Sequence, residues 1–166
     1  PQEIEGFTTE AAGDHEAFHA NLERAGVASR VRHVRRFSDA AHDEVDGAVD
    51  LLYVDGAHRY GPARADLRDW GARVRGGGTL LVHDAFSSVG VTAAIWRELT
   101  VTRRFRYVGR ARSLAEFRAE SPTPIIGNLV AVVAQMPWFV RNIALKLALT
   151  LGGRRLLGDR APEWPY

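Results

Sequence analysis

There is no cysteine in the 166 residues of this chain, so neither a disulfide framework nor a thiolate-held metal can organise it. Lysine is nearly absent too. Lys146 is the single ammonium among 22 basic residues, and the basic chemistry is that of guanidinium groups. A bilayer-spanning segment is also missing: Ile125 to Val140 carries no charge, but its 16 residues, interrupted by Gly127, Asn128, Gln135 and Pro137, fall short of the ~20 that a spanning helix needs. No secretory leader, internal repeat or low-complexity tract is visible. Those absences set the expectation of a reducing, cytoplasmic setting. The first residue is Pro1, not methionine, and the chain is expected to be a piece of a longer protein.

The length fits one domain, able to bury roughly 70% of the surface its unfolded chain exposes. The net charge of +2 conceals an asymmetry: residues 1–100 carry 11 basic and 16 acidic groups, and residues 101–166 carry 11 and 4. A basic last third suits an anionic partner or a solvated face equally well. Nucleic acid is not expected, because the arginines at 103, 104, 106, 110 and 112 have less aromatic interleaving than stacking on bases needs.

The most informative stretch runs Val49-Asp50-Leu51-Leu52-Tyr53-Val54-Asp55-Gly56-Ala57-His58-Arg59-Tyr60. Its apolar run is uninterrupted by strict alternation, the mark of a strand covered on both faces of a parallel sheet, and a central strand is expected there. Asp55-Gly56 ends it with a carboxylate and a turn, at the strand edge where open α/β sheets bind ligands. Tyr60, Ala63, Leu67, Trp70 and Val74 then follow helical spacing, with Pro62 in the first turn. Gly76-Gly77-Gly78 reads as a turn releasing a second strand, Thr79-Leu80-Leu81-Val82, which ends in His83-Asp84. This strand, helix, strand order predicts a right-handed parallel crossover. Asp55, His58, His83 and Asp84 should therefore meet at one rim. Each alone is better explained by a turn cap or a backbone hydrogen bond; four at adjacent strand ends favour function.

Before this stretch, Phe18, Leu22 and Ala25 predict a helix from Asp14 that stops at Gly26, and Val31-Arg32-His33-Val34-Arg35 alternates as a short strand. After it, Val91, Ile95 and Leu99 predict a helix, and residues 105–109 and 114–117 two short strands. Trp138 to Leu151 continues as a helix with Arg141, Asn142, Lys146 and Thr150 grouped on a narrow polar face.

VDGAHRY, the following helix with its tryptophan, and RGGGTLLVHD resemble the second half of class I S-adenosylmethionine-dependent methyltransferases. The likeness is to the small-molecule and sugar O-methyltransferase branch related to cephalosporin-hydroxylase-like and macrolide-sugar enzymes. It is good from about Val31 to Val91 and extends to Glu120. No acidic-x-Gly-x-x-x-Gly loop, the family's donor-binding signature, is present. The resemblance thus implies an α/β, Rossmann-like methyltransferase sheet lacking its first two strands, truncated at the N-terminus, with a C-terminal helical tail. It divides the chain into a partial methyltransferase domain, 1–120, and an apolar and basic helical extension, 121–166.

The same resemblance implies S-adenosylmethionine as cofactor, with Ser38 and Asp39 near its adenine and Asp55 shared between cofactor and chemistry. Ser38 and Asp39 serve equally well as caps of a turn before Ala40-Ala41. In metal-dependent relatives one acid follows the fourth strand and two adjacent acids follow the fifth. Asp55 and Asp84 match, while His83 replaces one acid, so Asp55, His83 and Asp84 form a candidate set for Mg²⁺ or Mn²⁺, with imidazole tilting preference toward the softer ions. The alternative needs no metal: His58 or His83 acts as general base, imidazole having an ordinary pKa of about 6.5.

The expected activity is methyl transfer to a hydroxyl of a small-molecule acceptor, a sugar or glycoconjugate, in the intact parent. Two rivals stand beside it. One is a noncatalytic, membrane-peripheral or partner-binding module using residues 125–151; the other is a metal-dependent hydrolase.

Overall fold

In the computed structural model residues 11–153 are described. The chain divides into two compact units, Pro1–Asp46 and Gly47–Tyr166, so residues beyond 120 belong with the second.

In the first unit helix α1 (Ala11–Arg24) ends as its glycine predicts. Gly26 takes φ 68°, and the Val27 N–H donates back to the Leu22 carbonyl at 3.0 Å, a closure that a left-handed residue makes possible. Three short 3₁₀ turns follow, Ala28–Arg30, Ser38–Ala40 and His42–Glu44. Val31–Arg35, a strand by alternation but an expected orphan in a sheet lacking its first two strands, is irregular. Alternation alone does not make a strand, because the backbone groups need a ladder partner, and among the described residues this segment has none. Side chains tie it down instead: Arg32 donates to the carbonyl and carboxylate of Glu44, both at 2.5 Å, and Arg36 lies 3.4 Å from the same carboxylate.

The second unit is built on four strands, β1 (Val49–Val54), β2 (Val74–Val82), β3 (Phe105–Ala111) and β4 (Leu114–Ala119), in the order β1-β2-β4-β3. β1 and β2 are parallel, joined by helix α2 (Tyr60–Asp69); β4 runs antiparallel to both its neighbours. Helices α3 (Val89–Ile95), α4 (Ile125–Val133) and α5 (Met136–Ala148) complete it. This is a Rossmann-like methyltransferase fold, and its four strands match the expected fourth, fifth, seventh and sixth of that sheet.

The core lies on one face. Leu80 and Val82 of β2, Ala115 and Phe117 of β4, Phe105 and Tyr107 of β3, Ala63 and Leu67 of α2, Ile95 of α3 and Val132 of α4 form one buried cluster. The opposite face of β1 presents Leu51, 57% exposed, and Tyr53, 48% exposed. β1 is therefore an outer strand covered on one side, which corrects the reading of a central strand. A continuous apolar run reports what a strand could bury; burial also needs a second layer and a second neighbour, and the described residues supply neither.

Three smaller expectations also change. β2 begins at Val74, and the triple glycine lies within it, where a step of two positions in β1 (Val49 to Leu51) faces a step of five in β2 (Val74 to Thr79). Gly78 fits because a Cβ there would stand 2.9 Å from the Asp50 carbonyl. Helix α2 stops at Asp69, leaving Trp70 half-buried beside the Arg73 guanidinium (5.4 Å) instead of in the core. The uncharged stretch 125–140 breaks into α4 and α5, and Asn142, assigned to the polar face, is the fully buried residue of α5, while Val140 and Leu147 are exposed. No helix among the described residues is long and apolar enough to cross a membrane.

Candidate functional site

The β1–β2 register decides the site. Val54 pairs with Val82, and the His83 N–H donates to the Val54 carbonyl at 2.9 Å, so the next residue of each strand, Asp55 and His83, leaves the sheet side by side. His83 Nδ1 lies 3.0 Å from Asp55 Oδ1 without the alignment of a formed hydrogen bond. On the other carboxylate oxygen, Asp55 accepts from the Tyr53 hydroxyl at 3.2 Å. Burial and then the Asp55 charge raise the Tyr53 phenol above its ordinary range, which keeps it protonated as a donor.

Asp84 sits one residue further, in a turn that buries it to 1% exposure with φ 53°. Its carboxylate accepts from the Ser87 hydroxyl at 3.0 Å and faces His58 Nε2 at 3.2 Å; His83 Nδ1 is 4.0 Å away. His58 is half-exposed on its side chain, and its carbonyl accepts from Ser88 Oγ at 3.1 Å. The four rim residues thus form two Asp–His pairs, one open and one anchored. Asp55, His58 and His83 offer ligand atoms within 4.8 Å of one another, whereas Asp84 is turned to His58 and Ser87. A narrow, open cleft adjoins them, reaching Gly56 and Asp66.

Two close approaches hold this rim. A Cβ on Gly90, at the start of α3, would stand 2.2 Å from the His58 carbonyl and 2.7 Å from the Tyr60 nitrogen, and one on Gly56 would stand 2.9 Å from Asp66 Oδ2. From the far side, buried Asn142 of α5 donates to the Phe86 carbonyl at 3.0 Å, so the C-terminal helix supports the turn carrying His83 and Asp84. Sequence reasoning missed Tyr53, Asp66, Gly90 and Asn142. Two of them had a signal: Tyr53 is two residues before Asp55 on one strand face, and Asp66 flanks the Ala63, Leu67 stripe of α2.

Ser38 and Asp39 lie in the first unit, exposed in the 3₁₀ turn Ser38–Ala40, which starts after Phe37 and has no side-chain cap. The arginines of 103–112 are largely engaged. Arg104 donates to the Ala72 and Val74 carbonyls at 2.8 and 2.6 Å, Arg106 to Glu120 at 2.7 Å, and Arg110 to Gln135 at 2.8 Å while stacking on Trp138.

A protein-family profile described as a methyltransferase domain matches residues 3–85, half of the chain, ending just past the His83-Asp84 pair. The chain belongs to this methyltransferase-domain family. Its match to the uncharacterized protein y4gI of Sinorhizobium fredii is 38% identical over 50 residues, 30% of this chain and 6% of that protein. The family implies a methyl donor, and the residues can be tested for one. No acidic-x-Gly-x-x-x-Gly sequence, the loop expected to hold a donor, occurs in the chain, so the described residues lack that cradle. What they do provide is acid–base chemistry beside a small cleft.

Proposed function

We propose that this chain carries the acceptor side of an S-adenosylmethionine-dependent methyltransferase whose intact parent methylates a hydroxyl of a small molecule, a sugar or glycoconjugate by resemblance. The observation that carries the reading is the anchored pair, His58 Nε2 3.2 Å from buried Asp84. S-adenosylmethionine supplies an electrophilic methyl group; the protein's part is to position the hydroxyl and remove its proton. With Nε2 held toward Asp84, Nδ1 of His58 is the nitrogen that accepts that proton, and the buried carboxylate stabilises the imidazolium formed. Ser87 fixes the carboxylate. Asp55, oriented by Tyr53 and His83, accepts a hydrogen bond from the acceptor. By resemblance Ser38 and Asp39 serve the adenine end of the donor.

The convergence of Asp55, His58 and His83 favours a second reading, in which a divalent ion, Mg²⁺ or Mn²⁺, lowers the pKa of the hydroxyl in place of the base. Asp84→Asn in the parent enzyme separates them. For a histidine base, kcat falls at least about 10²-fold with KM little changed, and EDTA has no effect. Loss of activity in EDTA with rescue by Mn²⁺ establishes the metal. Full activity of Asp84→Asn overturns the histidine base, and turnover with water and no methyl donor overturns both.

A further inference from the structure

A second cluster of imidazoles, far from the rim in sequence, lies wholly within the first unit. His15 and His19 project from one face of α1, four residues apart in the run His15-Glu16-Ala17-Phe18-His19, and His33 comes from the irregular segment after it. Their rings lie 4.6 Å (His15–His19), 5.2 Å (His15–His33) and 5.2 Å (His19–His33) apart. One nitrogen from each falls within 4.8 Å of the others. Phe18 closes one side, its ring 4.9 Å from that of His33.

Three features ask for an occupant. Nδ1 of His15 is shut off from solvent and has no hydrogen-bond partner, an arrangement that costs free energy unless something fills it. His19 Nε2 and His33 Nδ1 meet at 3.1 Å, so the rings already face a common point. The described part of the unit also buries little apolar surface. Among its described residues Ala41 is the one buried hydrophobic side chain, and units of this size without a core are normally stapled by a disulfide or a metal. With no cysteine, a disulfide is unavailable.

We propose that His15, His19 and His33 bind one borderline-soft divalent cation of the Zn²⁺ type, which clamps α1 to the segment around His33. Two histidines at i and i+4 on a helix present adjacent ligands to one ion. Three neutral imidazoles with no carboxylate select Zn²⁺ or its neighbours over Mg²⁺ and Ca²⁺. A tetrahedral ion about 2.0–2.1 Å from each nitrogen brings the nitrogens to roughly 3.3 Å from one another, a closure within reach of side-chain rotation. The half-exposed mouth leaves a fourth position for water. The charged groups His15 senses beside the other two imidazoles are Arg35 and Glu16, of opposite sign.

The test is Zn²⁺ titration of the full 166-residue chain, purified without a polyhistidine tag. One equivalent should bind at micromolar affinity or tighter, persist in the Asp55→Asn/His83→Ala double variant, and be lost in His19→Ala and in His33→Ala. Because those two variants could lose the ion by loosening α1, X-ray absorption of the zinc-loaded native chain gives an independent reading: three imidazole ligands are expected. Absence of binding, an equivalent that disappears with Asp55 and His83 instead, or a first shell with carboxylate and fewer than three imidazoles would each overturn the assignment.

Discussion

Leu80, Phe86, Phe105, Phe117, Ile95 and Leu99 of the second unit are all but removed from water, whereas the described part of the first unit buries Ala41 alone among its hydrophobic residues and relies on Glu44, two arginines and three histidines. The difference lies in geometry more than in composition. Phe18, Leu22, Val31 and Val34 are apolar enough for a small core, but a helix and an unladdered segment bring few of them together, while a sheet face aligns every second residue of four strands against the helices packed on it. Polar residues divide in the same way. In the second unit Asn128 of α4 enters the core with its bonds complete: it accepts from the Tyr107 N–H at 2.7 Å and donates to the Leu99, Thr100 and Phe105 carbonyls. In the first unit the polar contacts stay at the surface, where ion pairs contribute about 0–1 kcal/mol.

Paired substitutions turn this contrast into numbers. Phe117→Ala should lower the unfolding free energy by about 3–5 kcal/mol in urea titrations, against about 0.5 kcal/mol or less for Phe18→Ala in the metal-free chain. Comparable losses at the two positions would mean that the first unit has a core after all. Asn128→Ala comes next, since it strands backbone groups that each cost about 1–3 kcal/mol when buried without a partner; an Asn128→Ala protein as stable as the parent would show that water reaches the Leu99–Phe105 turn.

Glycine substitutions should change sign between the units. Gly90→Ala drives a Cβ into the His58 carbonyl and should cost about 1–3 kcal/mol, with the His58 amide resonance displaced in NMR spectra. Gly13→Ala, in α1 with nothing within 4 Å, should gain about 0.5–1 kcal/mol. The smallest effect is expected at Tyr107, whose hydroxyl is buried without a partner and whose phenol burial raises above its ordinary value of 10.0, against a smaller opposing pull from Arg110. A raised folded value favours the protonated form, so this contribution is complete below pH 10 and is lost as pH climbs past it. Tyr107→Phe should therefore be at least as stable as the parent at pH 7 and lose less stability above pH 10. A steeper alkaline loss in the variant would reverse the assigned sign.

The amino-acid sequence by itself determined the parts whose signals are local. The apolar run ending at Asp55-Gly56, the repeat of that arrangement at His83-Asp84, the 3.6-residue rhythm of α2 and α3 and the Gly26 stop each depend on residues within a few positions of one another, and from them came the strands, the crossover and the four rim residues. Tertiary structure decided the rest, because the rest depends on neighbours distant in the chain. β1 became an outer strand for want of a second neighbour, Val31–Arg35 stayed irregular for want of a ladder, and Asn142 turned inward because the Phe86 carbonyl, 56 residues away, needed a donor. The pairing of His58 with Asp84 and of His83 with Asp55 likewise rests on the Val54–Val82 register and on the approach of Gly90 to the His58 carbonyl. The histidine cluster shows both levels: the four-residue spacing of His15 and His19 was written in the sequence, but only the folding back of the segment after α1 brought His33 to meet them.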